Sequence, residues 1–205
     1  MLRQALNACA AIALVLASLS HVDGATLYSE FVSGDLSNNG LNPTPLSFTS
    51  GSNEVFGTTG RDSAGVSDRD YFTFTVPSNL KLTALIEEAG TQTTSLGFFA
   101  VQNGTQVTVS PTTTTAAGLL GWIHYGPAAT DIDILPELGI PSQGSTGFVP
   151  PLAPGSYAFW LQDTTAGTFN YRFNFILAAV PEPSAGFLLI FGLLGLWRFL
   201  RLRID

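Results

Sequence analysis

Between Thr26 and Leu177 apolar and polar residues alternate with period two, the pattern of strands that bury one face. The clearest run is Asp70-Tyr71-Phe72-Thr73-Phe74-Thr75-Val76. It sets Phe72, Phe74 and Val76 on one face, Tyr71, Thr73 and Thr75 on the other, and Pro77 ends it. Residues 80–87 repeat the pattern with Leu80, Leu82, Ala84 and Ile86. Residues 95–101 and 106–110 flank Asn103-Gly104, residue types that suit a type I′ turn, so a hairpin is expected there. That turn also accounts for Asn103-Gly104-Thr105, a sugar-acceptor triplet, without a sugar. Residues 130–135 alternate again, and the Gly- and Pro-rich residues 136–154 read as a long surface loop. Closing strands are expected at 156–161 and 169–177, the second with Phe169, Tyr171, Phe173 and Phe175 on one side. No long stretch keeps a helical period. The pattern predicts an all-β domain at residues 25–177, an antiparallel β-sandwich or jelly roll.

The two ends follow different rules. Arg3 precedes a run from Ala8 to Leu19 that is apolar apart from Ser18, and small residues follow at Gly24 and Ala25. This is the layout of a secretory signal helix, residues 1–24, cut by a signal peptidase. Its apolar run is too short for a permanent span of a bilayer about 30 Å thick. At the other end, Val180-Pro181-Glu182-Pro183 breaks the last strand, because two prolines lock φ and donate no hydrogen bond. Residues 185–197 carry no charge, and Arg198, Arg201 and Arg203 follow. Thirteen helical residues reach only about 20 Å. A short transmembrane helix there would need Trp197 and the arginines at the interface. The arginine cluster, residues 198–205, places the C-terminus on the cytoplasmic side, the same topology that a cleaved signal produces.

The chain is 45% hydrophobic, and these two ends supply much of that. Cys9, the only cysteine, lies inside the signal, so the mature region has no thiol to pair, ligate metal or attack a substrate. Four basic against twelve acidic side chains between Ala25 and Val180 leave that region at −8. Such a surface repels phosphate backbones, so nucleic acid is not an expected partner.

The ordered set of Pro-Glu-Pro, short apolar helix and arginine cluster over roughly the last 26 residues closely resembles the PEP-CTERM sorting family. Val180, Pro181, Glu182 and Pro183 match its motif, residues 185–197 its helix, and Arg198, Arg201 and Arg203 its basic end. The resemblance implies an exported precursor held transiently in the inner membrane. An exosortase, an integral-membrane cysteine protease-transpeptidase, would cut near the motif and deliver the protein to the cell surface or outside it. Membership is commonly linked with exopolysaccharide and biofilm.

Asp68-Arg69-Asp70-Tyr71-Phe72-Thr73-Phe74-Thr75-Val76-Pro77, Leu82-Thr83 and Pro154-Gly155-Ser156-Tyr157 loosely resemble the bacterial pre-peptidase C-terminal β-sandwich, a non-catalytic accessory module. The residues themselves point away from an enzyme. His124 is the one histidine between Ala25 and Val180 and sits in an aromatic, strand-like context, as a packed or edge residue. Glu87 and Glu88 are adjacent, so a strand sends them to opposite faces, and a solvated strand end is expected for them. Trp122, Tyr125 and Trp160 are candidates for stacking on sugar rings, which makes a carbohydrate-binding module the alternative reading; buried aromatics are the plainer explanation. No cofactor is required. Asp35, Asp62, Asp68 and Asp70 lie in loop-like stretches and are weak candidates for Ca2+, although turn-forming aspartate accounts for them too.

Overall fold

The computed structural model describes residues 26–92, 97–126 and 131–180. The signal 1–24, Pro181, Glu182 and Pro183, the apolar segment 185–197 and Arg198, Arg201 and Arg203 lie outside the described residues. No helix among the described residues is long and apolar enough to cross a membrane. Strands are β1 (Thr26–Ser29), β2 (Thr44–Pro45), β3 (Gly51–Arg61), β4 (Ser67–Val76), β5 (Leu80–Glu87), β6 (Gly97–Asn103), β7 (Gly121–Tyr125), β8 (Ile132–Asp133), β9 (Gly155–Gln162) and β10 (Gly167–Ala179). Two single-turn helices join them, α1 (Glu30–Ser33) and α2 (Leu135–Leu138).

The strands form one curled sheet in the order β7-β6-β9-β4-β3-β10-β5-β8. These pairings are antiparallel, while the short β1 and β2 add to β3 and β4 in parallel. The curl is made at one place. β3 and β4 pair only through Gly60 with Asp68 and Arg61 with Ser67, and beyond that junction they part. Gly60 is required there: its φ is +151°, and a Cβ would lie 1.9 Å from the Gly167 carbonyl oxygen.

The curl brings the two halves of the sheet face to face. Phe72 and Phe74 of β4, Phe99 of β6 and Phe159 of β9 meet Phe173 and Phe175 of β10, with Val55, Leu82 and Leu85 between them. Phe99 and Phe173 have ring centroids 4.8 Å apart, Phe159 and Phe175 5.3 Å, and both pairs meet edge to face. Each fully buried ring contributes roughly 1.5–3 kcal/mol, and each good ring pair adds about 0.5–1.5 kcal/mol. This core holds the curl closed.

A second cluster lies on the outer face of the β7-β6-β9-β4 half. Tyr71, Ala100, Ala158 and Trp160 are buried there under Val107, Ala116 and Leu119. The covering segment comes from residues 104–120, where the sequence pattern predicts half of a hairpin. Residues 106–110 form no strand. The reason is occupancy: β6 already pairs with β7 on one side and β9 on the other, so no edge remains for them. Gly104 does take φ +103°, but the chain then crosses the outer face, with the Val107 N–H donating to the Gly40 carbonyl.

Residues 136–154 also differ from a solvated loop. Leu135, Leu138 and Leu152 are buried, and Leu152 exchanges backbone hydrogen bonds in both directions with Leu82. The segment closes one end of the core. Strand β5 departs from the expected single face of Leu80, Leu82, Ala84 and Ile86: a bulge at Thr83 reverses the parity, so Leu85 and Glu87 are buried and Ala84 and Ile86 are only half-buried. Glu87 and Glu88 do face opposite ways, but Glu87 is fully buried rather than solvated, where β5 ends beside β8. Neither Glu87 carboxyl oxygen has a hydrogen-bond partner. The Gly126 N–H bears on it electrostatically without completing a bond.

Burial pushes the Glu87 carboxyl up to about 7, above the value near 4.5 that it takes when exposed. The native state therefore binds this proton more tightly than the unfolded chain, and stability is lost as pH rises through the window from 4.5 to about 7. Urea unfolding at pH 5 and pH 8 should show Glu87→Gln losing less stability than the wild type over that interval, by on the order of 2 kcal/mol. Equal losses in the two proteins would place the Glu87 carboxylate in contact with water.

Candidate functional site

Cross-strand register decides which aromatic side chains meet on the outer face. Trp122 of β7, Ala100 of β6, Trp160 of β9 and Tyr71 of β4 are directly opposite one another and form one row across four strands. His124, Phe98, Gln162 and Arg69 form the neighbouring row. The small Ala100 lets the 104–120 segment approach, and a groove of about 340 Å³ stays open between that segment and the aromatic row. This volume is near the lower end of the usual small-molecule range, about 300–1,000 Å³.

One wall of the groove is a ring cluster. Phe98 stacks on Trp122 at 5.7 Å and 22°, and leans on Trp160 at 4.7 Å. His124 stands edge-on to Trp122 at 5.4 Å, exposed on the edge strand β7. The Trp122 indole N–H donates to the Ser142 carbonyl, which fixes the ring plane. The polar residues Gln143, Gln162, Thr113 and Thr115 also line the groove. Gln162 is held by the Arg69 Nε–H, which donates to its Oε1 at 3.0 Å.

Of the three aromatic residues predicted as sugar contacts, Trp122 and Trp160 line this groove and Tyr125 does not. Tyr125 is buried against Phe173 in the inner core, 5.0 Å between centroids. Strand parity explains it, since Trp122 and Tyr125 are three residues apart in one strand and so lie on opposite faces. Trp160 forms the floor at only 4% exposure, stacked on Tyr71. Phe98 was the missed member. Its neighbours in sequence look like core strand, and only the register with Trp122 and His124 reveals it.

A second constellation occupies the split between β1 and β4 along one edge of β3. β1 pairs with β3 as far as Phe56 and β4 begins pairing at Gly60, so the backbone between them lacks a strand partner on that side. The Glu30 carboxylate fills the gap, accepting from the Thr58 N–H at 2.8 Å and the Leu36 N–H at 3.0 Å. Glu30, Asp35 and Asp70 each bring one carboxyl oxygen within 4.8 Å of the others. Asp68 is not part of this trio, although it lies close enough to Asp35 to feel its charge. Asp62 serves elsewhere: its Oδ1 accepts from the Ala64 and Val66 N–H groups and shapes the β3–β4 turn.

Burial dominates the electrostatics here. It raises Glu30 and Asp68, the latter to about 6, with the Asp35 charge adding to both. Asp70 is raised well above the usual carboxylate range by burial and then by the Glu30 charge. The buried Tyr171 hydroxyl beside Asp70 works in the opposite sense, yet the two do not meet in hydrogen-bond geometry, and neither Asp70 oxygen has a partner. No lysine or arginine among the described residues forms an ion pair with these acids.

The groove aromatics differ in what they support. Trp160→Ala should cost about 3–5 kcal/mol in urea unfolding, as for other fully buried rings. Trp122→Ala, half-buried at the groove wall, should cost less than about 2 kcal/mol. Comparable losses at the two positions would show Trp122 to be a core residue instead. Compared with known proteins, the chain matches no family model and no curated protein.

Proposed function

We propose that the chain is an exported surface or matrix protein, sorted at the membrane by an exosortase-like transpeptidase, whose non-catalytic β-sandwich holds a neutral glycan beside Trp122. The sandwich reading rests on the curled sheet, whose two halves pack aromatic faces together. The sorting reading rests on the Pro-Glu-Pro motif followed by an apolar run and three arginines. At Val180, the final described residue, the N–H donates to the Asn79 carbonyl at 2.9 Å. Pro181, which has no N–H to donate, comes next in the sequence.

The glycan reading is carried by one observation: a single open groove pairs flat aromatic faces with side-chain amides, hydroxyls and an exposed imidazole. Pyranose rings present apolar C–H faces and equatorial hydroxyls, so they suit stacked rings flanked by amide and hydroxyl partners. The net charge of −8 between Ala25 and Val180 disfavours acidic polysaccharides and favours neutral ones. Exopolysaccharide of the cell's own surface is the substrate class that fits both halves of the proposal. Delivered by the same route without a ligand, the module would be a purely structural matrix component.

Two measurements test these readings. Affinity electrophoresis or calorimetry with soluble β-glucan, mannan and dextran should find saturable binding to at least one. Trp122→Ala and Phe98→Ala should weaken it tenfold or more, a loss of about 1.4 kcal/mol. No binding to any of these, or variants that bind as the wild type, would leave the matrix role alone. Separately, the intact mass of the extracellular product should correspond to an end within residues 180–184. A secreted product that retains Arg203 would refute processing.

A further inference from the structure

We infer that Glu30, Asp35 and Asp70 form a binding site for one hard divalent cation of the calcium class, at the split between β1 and β4. The first reason is spacing. Oxygen ligands sit about 2.3–2.6 Å from calcium, so two oxygens on one ion are at most about 5 Å apart. The three carboxyl oxygens lie within 4.8 Å of one another, inside that limit. The second reason is independent of the acidic cluster as such. Asp70 is fully buried, and neither of its oxygens has a partner in hydrogen-bond geometry; the Tyr171 hydroxyl beside it is likewise left without one. Buried carboxylates are ordinarily paired, hydrogen-bonded or metal-bound, and Asp70 has neither of the first two partners.

The surroundings define the ion. All three ligands are carboxylates, with no imidazole or thiolate among them, which suits a hard cation over zinc or copper. Two backbone N–H donors, with the Thr58 hydroxyl at 3.5 Å from Oε2, fix the Glu30 carboxylate in place while leaving a lone pair on Oε1 for the ion. Asp35 is exposed, so the ion has a route from solvent. Three formal charges, with Asp68 nearby, are compensated by no ion-paired cation among the described residues. Calcium accepts irregular oxygen geometry, whereas magnesium demands a near-ideal octahedron and dehydrates reluctantly. The ion would tie α1 and the loop carrying Asp35 to β4, closing the edge that β3 leaves open between β1 and β4.

The site is independent of glycan binding and of sorting, and so is its test. The full-length chain, purified in mild detergent and stripped with EGTA, is titrated with CaCl2 to 5 mM and followed by thermal melting and calorimetry. A ligand that binds only the native state raises the melting temperature. With a Kd of roughly 10⁻⁴–10⁻³ M, typical of extracellular modules, the rise should be about 2–8 °C. Calorimetry should count one ion per chain. Asp70→Asn should lose the response. Asp35→Asn, at an exposed position that does not threaten folding, should weaken calcium binding at least tenfold. Equimolar MgCl2 should give less than half the shift. The inference is overturned by no calcium response in the stripped chain, by an equal response to magnesium, or by a calcium response that Asp35→Asn leaves unchanged.

Discussion

The two-residue junction between β3 and β4 is the constraint on which the rest of the structure depends. A sheet of this many strands, if left open, would expose a phenylalanine-rich face to water. Pairing only Gly60 with Asp68 and Arg61 with Ser67, then parting, lets one continuous sheet turn back on itself. The aromatic faces of the two halves then bury each other. The turn is sterically tight enough that no side chain fits at Gly60. The same parting leaves a gap on the β3 edge, and Glu30 is drawn into it because the Thr58 N–H has no strand partner on that side. The acidic seam is therefore a by-product of how the sheet closes.

Polar groups are unevenly distributed in the interior. The phenylalanine cluster is dry, but Thr59, Asp70, Glu87, Tyr125 and Tyr171 all bury polar atoms that have no partner of ordinary geometry. Such groups cost roughly 1–3 kcal/mol each when left unmet. An aromatic core this dense offsets that cost. Asp70 and Glu87 differ in surroundings: Asp70 faces two further carboxylates at a solvent-reachable seam, whereas Glu87 lies beside β8, where burial raises its carboxyl to about 7. Arg172 bridges Glu54 and Glu88 in two partly exposed ion pairs.

The outer face follows another logic. Because β6 is paired on both sides, residues 104–120 cannot pair with it as a hairpin strand, and they lie across the sheet instead. Their contact with Tyr71, Ala100 and Trp160 makes a second apolar layer and leaves the groove at its margin. An open groove thus arises where a covering segment fails to cover the last aromatic row.

Much of the architecture was legible in the period-two pattern. The inward Phe72, Phe74 and Val76 of β4 and the inward faces of β9 and β10 follow from local alternation, because a strand's side chains alternate where it runs regularly; residues 80–87 form the expected strand, but a bulge at Thr83 breaks the expected face, burying Leu85 and Glu87 in place of Ala84 and Ile86. Alternation also contained the answer for Tyr125, whose parity in β7 opposes that of Trp122. What no local pattern held was partnership. Whether residues 106–110 find a free edge, whether Glu87 ends in water or under β8, and whether Phe98 lies beside Trp122 are decided by strand order and register. Glu30 and Asp70 are 40 positions apart and meet only because β3 opens between β1 and β4. The sequence by itself determined which residues form strands and which faces are apolar, since those depend on neighbours along the chain. Tertiary structure alone decided which side chains share a groove or a seam, since that depends on strands brought together from distant positions.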